Sequence, residues 1–206
     1  MMRAKQILFL LLLSLGLPVA VQAGELFNSL LQESSMQWSK PDGFKEVAIV
    51  ENEYLPYEKA VARADGELEI RYALRPLARM TIDYDDPHGA LPDPNHIFQR
   101  VFQALTGNLS VGGNTPSREY KVEEAKSKFG ADWAGMSIFD VDQKFAKGFK
   151  GAMLLAMHKN HIADAYIIFL FKDYEKAKAQ INANLDTLRY LPEPVKKQGQ
   201  PETKAQ

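Results

Sequence analysis

The most regular pattern of apolar and polar residues lies in "VARADGELEIRYALRPL", residues 61–77. Leu68, Ile70, Tyr72 and Leu74 alternate with Glu67, Glu69, Arg71 and Arg75, a period of two that predicts a strand with one buried and one wet face. Asp65-Gly66 ahead of it tolerates positive φ and predicts a two-residue hairpin turn. A second hairpin is expected in "GAMLLAMHKNHIADAYIIFLF", where two apolar runs of strand length flank Lys159-Asn160. Tyr166 to Phe171 is apolar on both faces and suits a central strand covered on both sides. Phe44 to Val50, Met80 to Tyr84 and Trp133 to Val141 read as further strands.

Helical spacing appears between these runs. Leu26, Phe27, Leu30 and Leu31 share one face of a short helix over Glu25 to Gln32. Ile97, Phe98, Val101, Phe102 and Leu105 predict a second helix ended by Gly107, and Val122, Ala125 and Phe129 a third closed by Gly130. Asp173 caps a last helix carrying Tyr174, Ala177, Ile181, Leu185 and Leu188, with Pro192 and Pro194 ending it. Residues 38–44 and 109–118 read as a turn and a loop. Hairpins separated by helices that must cover a sheet imply an α+β fold, a single α/β/α sandwich over residues 24–192 on a mainly antiparallel sheet.

The chain ends add a different picture. Arg3 and Lys5, the apolar run Ile7 to Leu17, and Val21-Gln22-Ala23 form the n-region, core and cleavage site of a secretory signal peptide, residues 1–23. The run is shorter than the roughly 20 apolar residues of a membrane span, so no transmembrane segment is expected after cleavage. A periplasmic or secreted location follows. The polar tail 193–206 has too few apolar groups to fold and is expected to be disordered. With 25 basic against 26 acidic residues the net charge is −1, and loss of Arg3 and Lys5 would take it to −3. No clustered basic face suggests nucleic acid. The chain has no cysteine, so stability must come from the core without disulfides.

Candidate chemistry concentrates in "DYDDPHGALPDPNH", residues 83–96. Asp83, Asp85, Asp86, His88 and Asp93 are residue types that converge on a divalent cation, although the EF-hand offsets are not met. The structural alternative explains the same letters: Asp93-Pro94 is a helix cap followed by proline at the first helical position, and Asp86-Pro87 and His88-Gly89 make a turn. If Lys159-Asn160 is a two-residue turn, His158 and His161 become a cross-strand pair able to share a metal or ligand, with Asp164 the nearest carboxylate. Trp38 and Trp133 read as core. The nucleophile elbow, the phosphate loop and the H-E-x-x-H pattern do not occur.

The order of elements carries a resemblance. "KPDGF" leads into a strand, an Asp-Gly hairpin bears "ELEIRYALRPL", and a late apolar hairpin is followed by a long closing helix ending "LDTLRYL". This order, from about Trp38 to Leu191, resembles the PsbP-like and DcrB-like α/β/α sandwich family. The resemblance implies a non-catalytic accessory protein that binds a partner protein or small ligand, with no resident cofactor. The alternative expectation is a divalent-cation-dependent protein, a hydrolase among the options, built on loop 83–96.

Overall fold

A computed structural model describes residues 19–80, 93–113 and 115–192. In chain order, helix α1 (Val19–Glu33) leads into strands β1 (Met36–Trp38), β2 (Phe44–Glu46), β3 (Lys59–Arg63) and β4 (Leu68–Pro76). A 3-10 turn, Leu77–Arg79, closes this half. Then follow α2 (Pro94–Leu109), β5 (Ser117–Glu119), α3 (Val122–Phe129), β6 (Trp133–Asp140), β7 (Gly151–Lys159), β8 (Ala163–Phe171), α4 (Tyr174–Ala183) and β9 (Leu188–Tyr190). Seven strands form one sheet in the order β2-β3-β4-β8-β7-β6-β5, each pair antiparallel. Strands β1 and β9 form a separate two-stranded ribbon.

Strand alternation explains the layers. On β8, Ala165, Ile167, Phe169 and Phe171 point to one face and meet Phe27 and Leu30 of α1, Phe129 of α3 and Ile181 of α4. The intervening Tyr166, Ile168 and Leu170 point to the other face, toward Phe102 and Leu109 of α2 and toward Leu55, Tyr57 and Phe145. Every residue of β7 and β8 is therefore buried, as a central strand covered on both sides requires. The α+β sandwich on an antiparallel sheet is what the apolar pattern predicted.

Several local expectations need correction. The face of β4 expected to be wet is covered: Arg71 is only 4% exposed. Its guanidinium lies 4.8 Å from the Tyr57 ring centroid and 5.1 Å from that of Phe145, and its Nε donates to Glu69 Oε1 at 2.6 Å. Segments remote in the chain supply that cover, so the alternation could not reveal it. The first hairpin turns through Arg63–Gly66, with the Gly66 amide donating to the Arg63 carbonyl at 3.0 Å. Gly66, unlike Asp65, takes positive φ, at 67°, so the turn is not the mirror-image two-residue type.

Helix α2 runs through Gly107 to Leu109, because Gly107 serves close approach rather than termination. A Cβ there would meet the Gly113 carbonyl oxygen at 3.0 Å. The last helix stops at Ala183, with Asn184 at its C-cap, and Leu188 lies on β9 paired with Trp38. Strand β2 ends at Glu46 rather than Val50.

Other expectations stand. Gly130 closes α3 in the left-handed region at φ 67°, and Asp173 caps α4 by accepting from the Glu175 and Lys176 amides. Trp38 packs edge-on against Phe27 and Tyr72, and Trp133 against Phe102. Helix α1 continues across the expected cleavage point after Ala23, and Phe27 and Leu30 beyond that point enter the core. Residues 1–18 of the expected leader, 81–84 of the expected strand at Met80, and the tail 193–206 lie outside the described residues.

Candidate functional site

The acidic stretch contributes one described candidate ligand. Asp83, Asp85, Asp86 and His88 lie outside the described residues. Asp93 is the N-cap of α2, its Oδ1 accepting from the Asn95 amide at 2.9 Å and from the Asn95 side chain at 2.7 Å. Those hydrogen bonds, the backbone amide foremost, hold its carboxyl below the usual aspartate range. Pro94 follows at the first helical position, as the capping alternative predicted.

The two histidines of the second hairpin are not a cross-strand pair. The loop has three residues, since Lys159 pairs with Ala163 and His158 with Asp164. The Ile162 amide donates to the Lys159 carbonyl at 3.1 Å, and His161 takes the positive φ of 61° that closes this turn. Adding one residue to the expected loop separates the imidazoles. His161 is exposed, its amide donating to Asn95 Oδ1 at 2.6 Å.

His158 turns inward and is 1% exposed. Its Nδ1–H donates to Asp164 Oδ1 at 2.6 Å, and its Nε2 lies 3.1 Å from the Asn160 side-chain amide. Phe98 of α2 stacks on the imidazole at 4.0 Å and 10°. Asp164 is thus the partner of His158, but as an orienting carboxylate inside the fold. A histidine so oriented and sealed under an aromatic ring holds α2 to the sheet. At 1% exposure it offers no surface to a substrate in this conformation. Among the described residues, no three His, Cys, Asp or Glu side chains gather closely enough to hold a metal ion.

The accessible feature is elsewhere. A cleft of about 720 Å³ opens at the corner of the sheet where β6, β7 and β8 meet the first turn of α4 and the segment before β5. Its floor is Phe171, whose ring lies over Gly151: a Cβ at 151 would come within 2.4 Å of that ring. Tyr174 adds a second ring 5.4 Å away at 53°, and Ile138 and Pro116 extend the apolar wall. Asp140, Lys150, Lys172, Asp173 and Glu175 make its charged rim.

Two of these charges are engaged internally. Lys172 faces Glu67 at 3.5 Å, while Asp173 caps α4 and lies 3.7 Å from Lys176. A volume of this size falls in the range of small-ligand sites. None of these residues was a site candidate in the sequence, because they come from five separate segments with no shared motif. The glycine opposite a phenylalanine, Gly151 across from Phe171, is the one local signal, and only register exposes it.

Fold and cleft together define the class: an α+β three-layer protein on an antiparallel sheet, open at one corner to a ligand-sized space. No protein-family model matches the chain, and no curated protein matches it. Among solved structures, it is similar to cyanobacterial PsbP (CyanoP) from Synechocystis sp. PCC 6803, with a TM-score of 0.41 and 10% sequence identity over 77% of this chain and 88% of that one. Among the described residues, no helix is long and apolar enough to cross a membrane.

Proposed function

We propose that this chain is an exported accessory protein that works by binding a partner protein or ligand at the β6–β8 corner cleft, without turning anything over. The observation that carries this reading is the contrast between two places. The cleft is open and lined by rings, aliphatic groups and charges, with the Thr115 and Tyr174 hydroxyls and no histidine. The His158–Asp164 pair, whose chemistry suits proton transfer, is closed beneath Phe98. An imidazole enclosed in the fold and turned away from the accessible space supports binding over histidine-based catalysis there.

Export rests on the leader-like pattern of residues 1–23, with the mature chain beginning at Gly24. N-terminal sequencing of the exported protein tests that half, and an intact Met1 would refute it. The binding half is tested by placing a photo-crosslinking amino acid at Thr115 or Lys150 on the cleft, and at Lys45 on the opposite edge of the sheet. Adducts formed from the cleft positions alone are expected in periplasmic extract. Equal labelling from Lys45, or none from either cleft position, would remove the cleft from the function.

A further inference from the structure

We propose that two copies of this chain associate face to face about a twofold axis, the acidic turn at Glu51 and Glu53 of each lying on the basic turn at Lys144 and Lys147 of the other. This surface is separate from the corner cleft, and the inference goes beyond the binding reading above.

Each turn is shaped by what it buries. In the first, the Asn52 side-chain oxygen accepts from the Tyr54 and Leu55 amides at 3.2 and 2.8 Å, and the Val50 amide donates to the Tyr57 hydroxyl at 2.8 Å. Leu55 and Tyr57 enter the core, which leaves Glu51 and Glu53, on either side of Asn52, exposed. In the second, the Phe145 and Ala146 amides both donate to the Asp142 carbonyl at 3.0 Å, a single turn of helix. Phe145 and Ala146 are buried, and Lys144 and Lys147 on either side of them stand in solvent.

Both turns cover the same side of the sheet, and they touch. The Tyr54 and Phe145 rings lie 6.5 Å apart, edge to face, and Tyr57 and Phe145 hold the Arg71 guanidinium between them. Within one chain the two turns nevertheless leave their charges unpaired. Among the described residues, none of Glu51, Glu53, Lys144 and Lys147 has an ion-pair partner. Beside the acids, Ile49 and Val50 are 39% and 59% exposed, large apolar groups that face water in a single copy.

An occupant of one sign answers only one of these turns. An anionic surface would meet the lysines and be repelled by Glu51 and Glu53 across the ring contact, and a cationic one would meet the reverse. A patch with acid on one side of a contact and base on the other is complementary to itself after a half-turn, which is the isologous arrangement of a twofold dimer. With the axis near the Tyr54–Phe145 contact, acids fall on lysines twice and the half-buried Tyr54 of each copy lies close to the axis. An aromatic centre with a charged rim is the usual anatomy of such a contact. Its charge pairs are exposed at the rim, so the association is weak and sensitive to salt.

Sedimentation velocity of the purified full chain over a concentration series tests this. A monomer–dimer equilibrium is expected, with a Kd at least about tenfold larger at 1 M than at 0.1 M salt, as the screening length falls from about 10 to about 3 Å. Lys144→Glu with Lys147→Glu should be monomeric, and so should Glu51→Lys with Glu53→Lys, because like charges then meet. Mixed in equal amounts, the two double variants should form a dimer again, since one carries acids on both turns and the other bases on both.

A wild type that stays monomeric throughout the series would overturn the proposal. So would double variants that dimerise as the wild type does, or a mixture that stays monomeric while both variants keep the wild-type circular dichroism spectrum. If either variant does not fold, the wild type decides alone: a dimer equally tight at both salt strengths would overturn the charge pairing. A monomeric wild type that co-sediments with phosphatidylglycerol vesicles would also overturn it, and would assign Lys144 and Lys147 to an anionic lipid surface.

Discussion

Arg71 offers the sharpest test of the packing, because a strand pattern places it in water and the structure places it inside. Its side chain is 5% exposed and Glu69, its partner at 2.6 Å, is 16% exposed. The guanidinium also donates from Nη1 to the Phe145 carbonyl at 3.2 Å and lies between the Tyr57 and Phe145 rings. Arg71→Ala leaves a shielded carboxylate without its cation, a carbonyl without its donor and two ring faces without their charge. Removing one member of a buried ion pair costs about 3–5 kcal/mol, and a desolvated cation–ring contact accounts for about 2 kcal/mol of such a loss. A charge standing in water would cost under about 0.5 kcal/mol.

A urea titration followed by far-UV circular dichroism, with Trp38 and Trp133 fluorescence as a second probe, should give a loss of about 3 kcal/mol at unchanged slope. The double variant Arg71→Met with Glu69→Met should recover most of it, since apolar groups of similar volume replace buried ion pairs at little cost. A loss below about 1 kcal/mol for Arg71→Ala, or a double variant worse than the single, would show that this face of β4 is open to solvent.

Other perturbations follow from the same structure. Tyr72 is pushed up to about 12 by burial, against the pull of its hydrogen bond with Thr187. A raised folded-state value means that stability is intact below pH 10 and is lost as the pH climbs from 10 to about 12. Over that window the wild type should lose up to about 3 kcal/mol more than Tyr72→Phe; parallel urea midpoints at pH 9.5 and 11.5 would refute this. His158→Ala strands the buried Asp164 carboxylate and should cost about 3–5 kcal/mol, whereas His161→Ala, on the exposed turn, should cost under about 1 kcal/mol by urea titration. Asp93→Ala should lower the melting temperature by a few degrees and Asp93→Asn should not, since asparagine also caps. Calcium, manganese or zinc should leave the wild-type melt unmoved; a rise abolished by Asp85→Asn would assign the acidic stretch to a cation.

What the chain's pattern could and could not show depends on the range of the interaction involved. The hairpin at Gly66, the caps at Asp93 and Asp173 and the left-handed Gly130 are decided by residues a few positions apart, and each was readable. Leu188 continues the helical spacing of Ile181 and Leu185, yet it belongs to a strand because β1, far back in the chain, offers it a ladder. His161 takes a positive φ that local preference disfavours, and Asn95, 66 residues earlier, receives its amide there. Arg71 looks wet until Tyr57 and Phe145 close over it.

The same reasoning applies to the candidate site. Residues 83–96 attract attention because ligating side chains are dense along the chain, but density in sequence is also what turns and caps produce. The cleft shows the opposite case. Asp140 and Phe171 are far apart in the chain, and only the pairing of β6 with β7 and of β7 with β8 sets them on either side of Gly151. The phenylalanine that fills the space above that glycine comes from a third strand. A cleft assembled across three strands leaves no period, no spacing and no motif in any one of them. Its trace is a missing Cβ, a feature that acquires meaning only once the register is known.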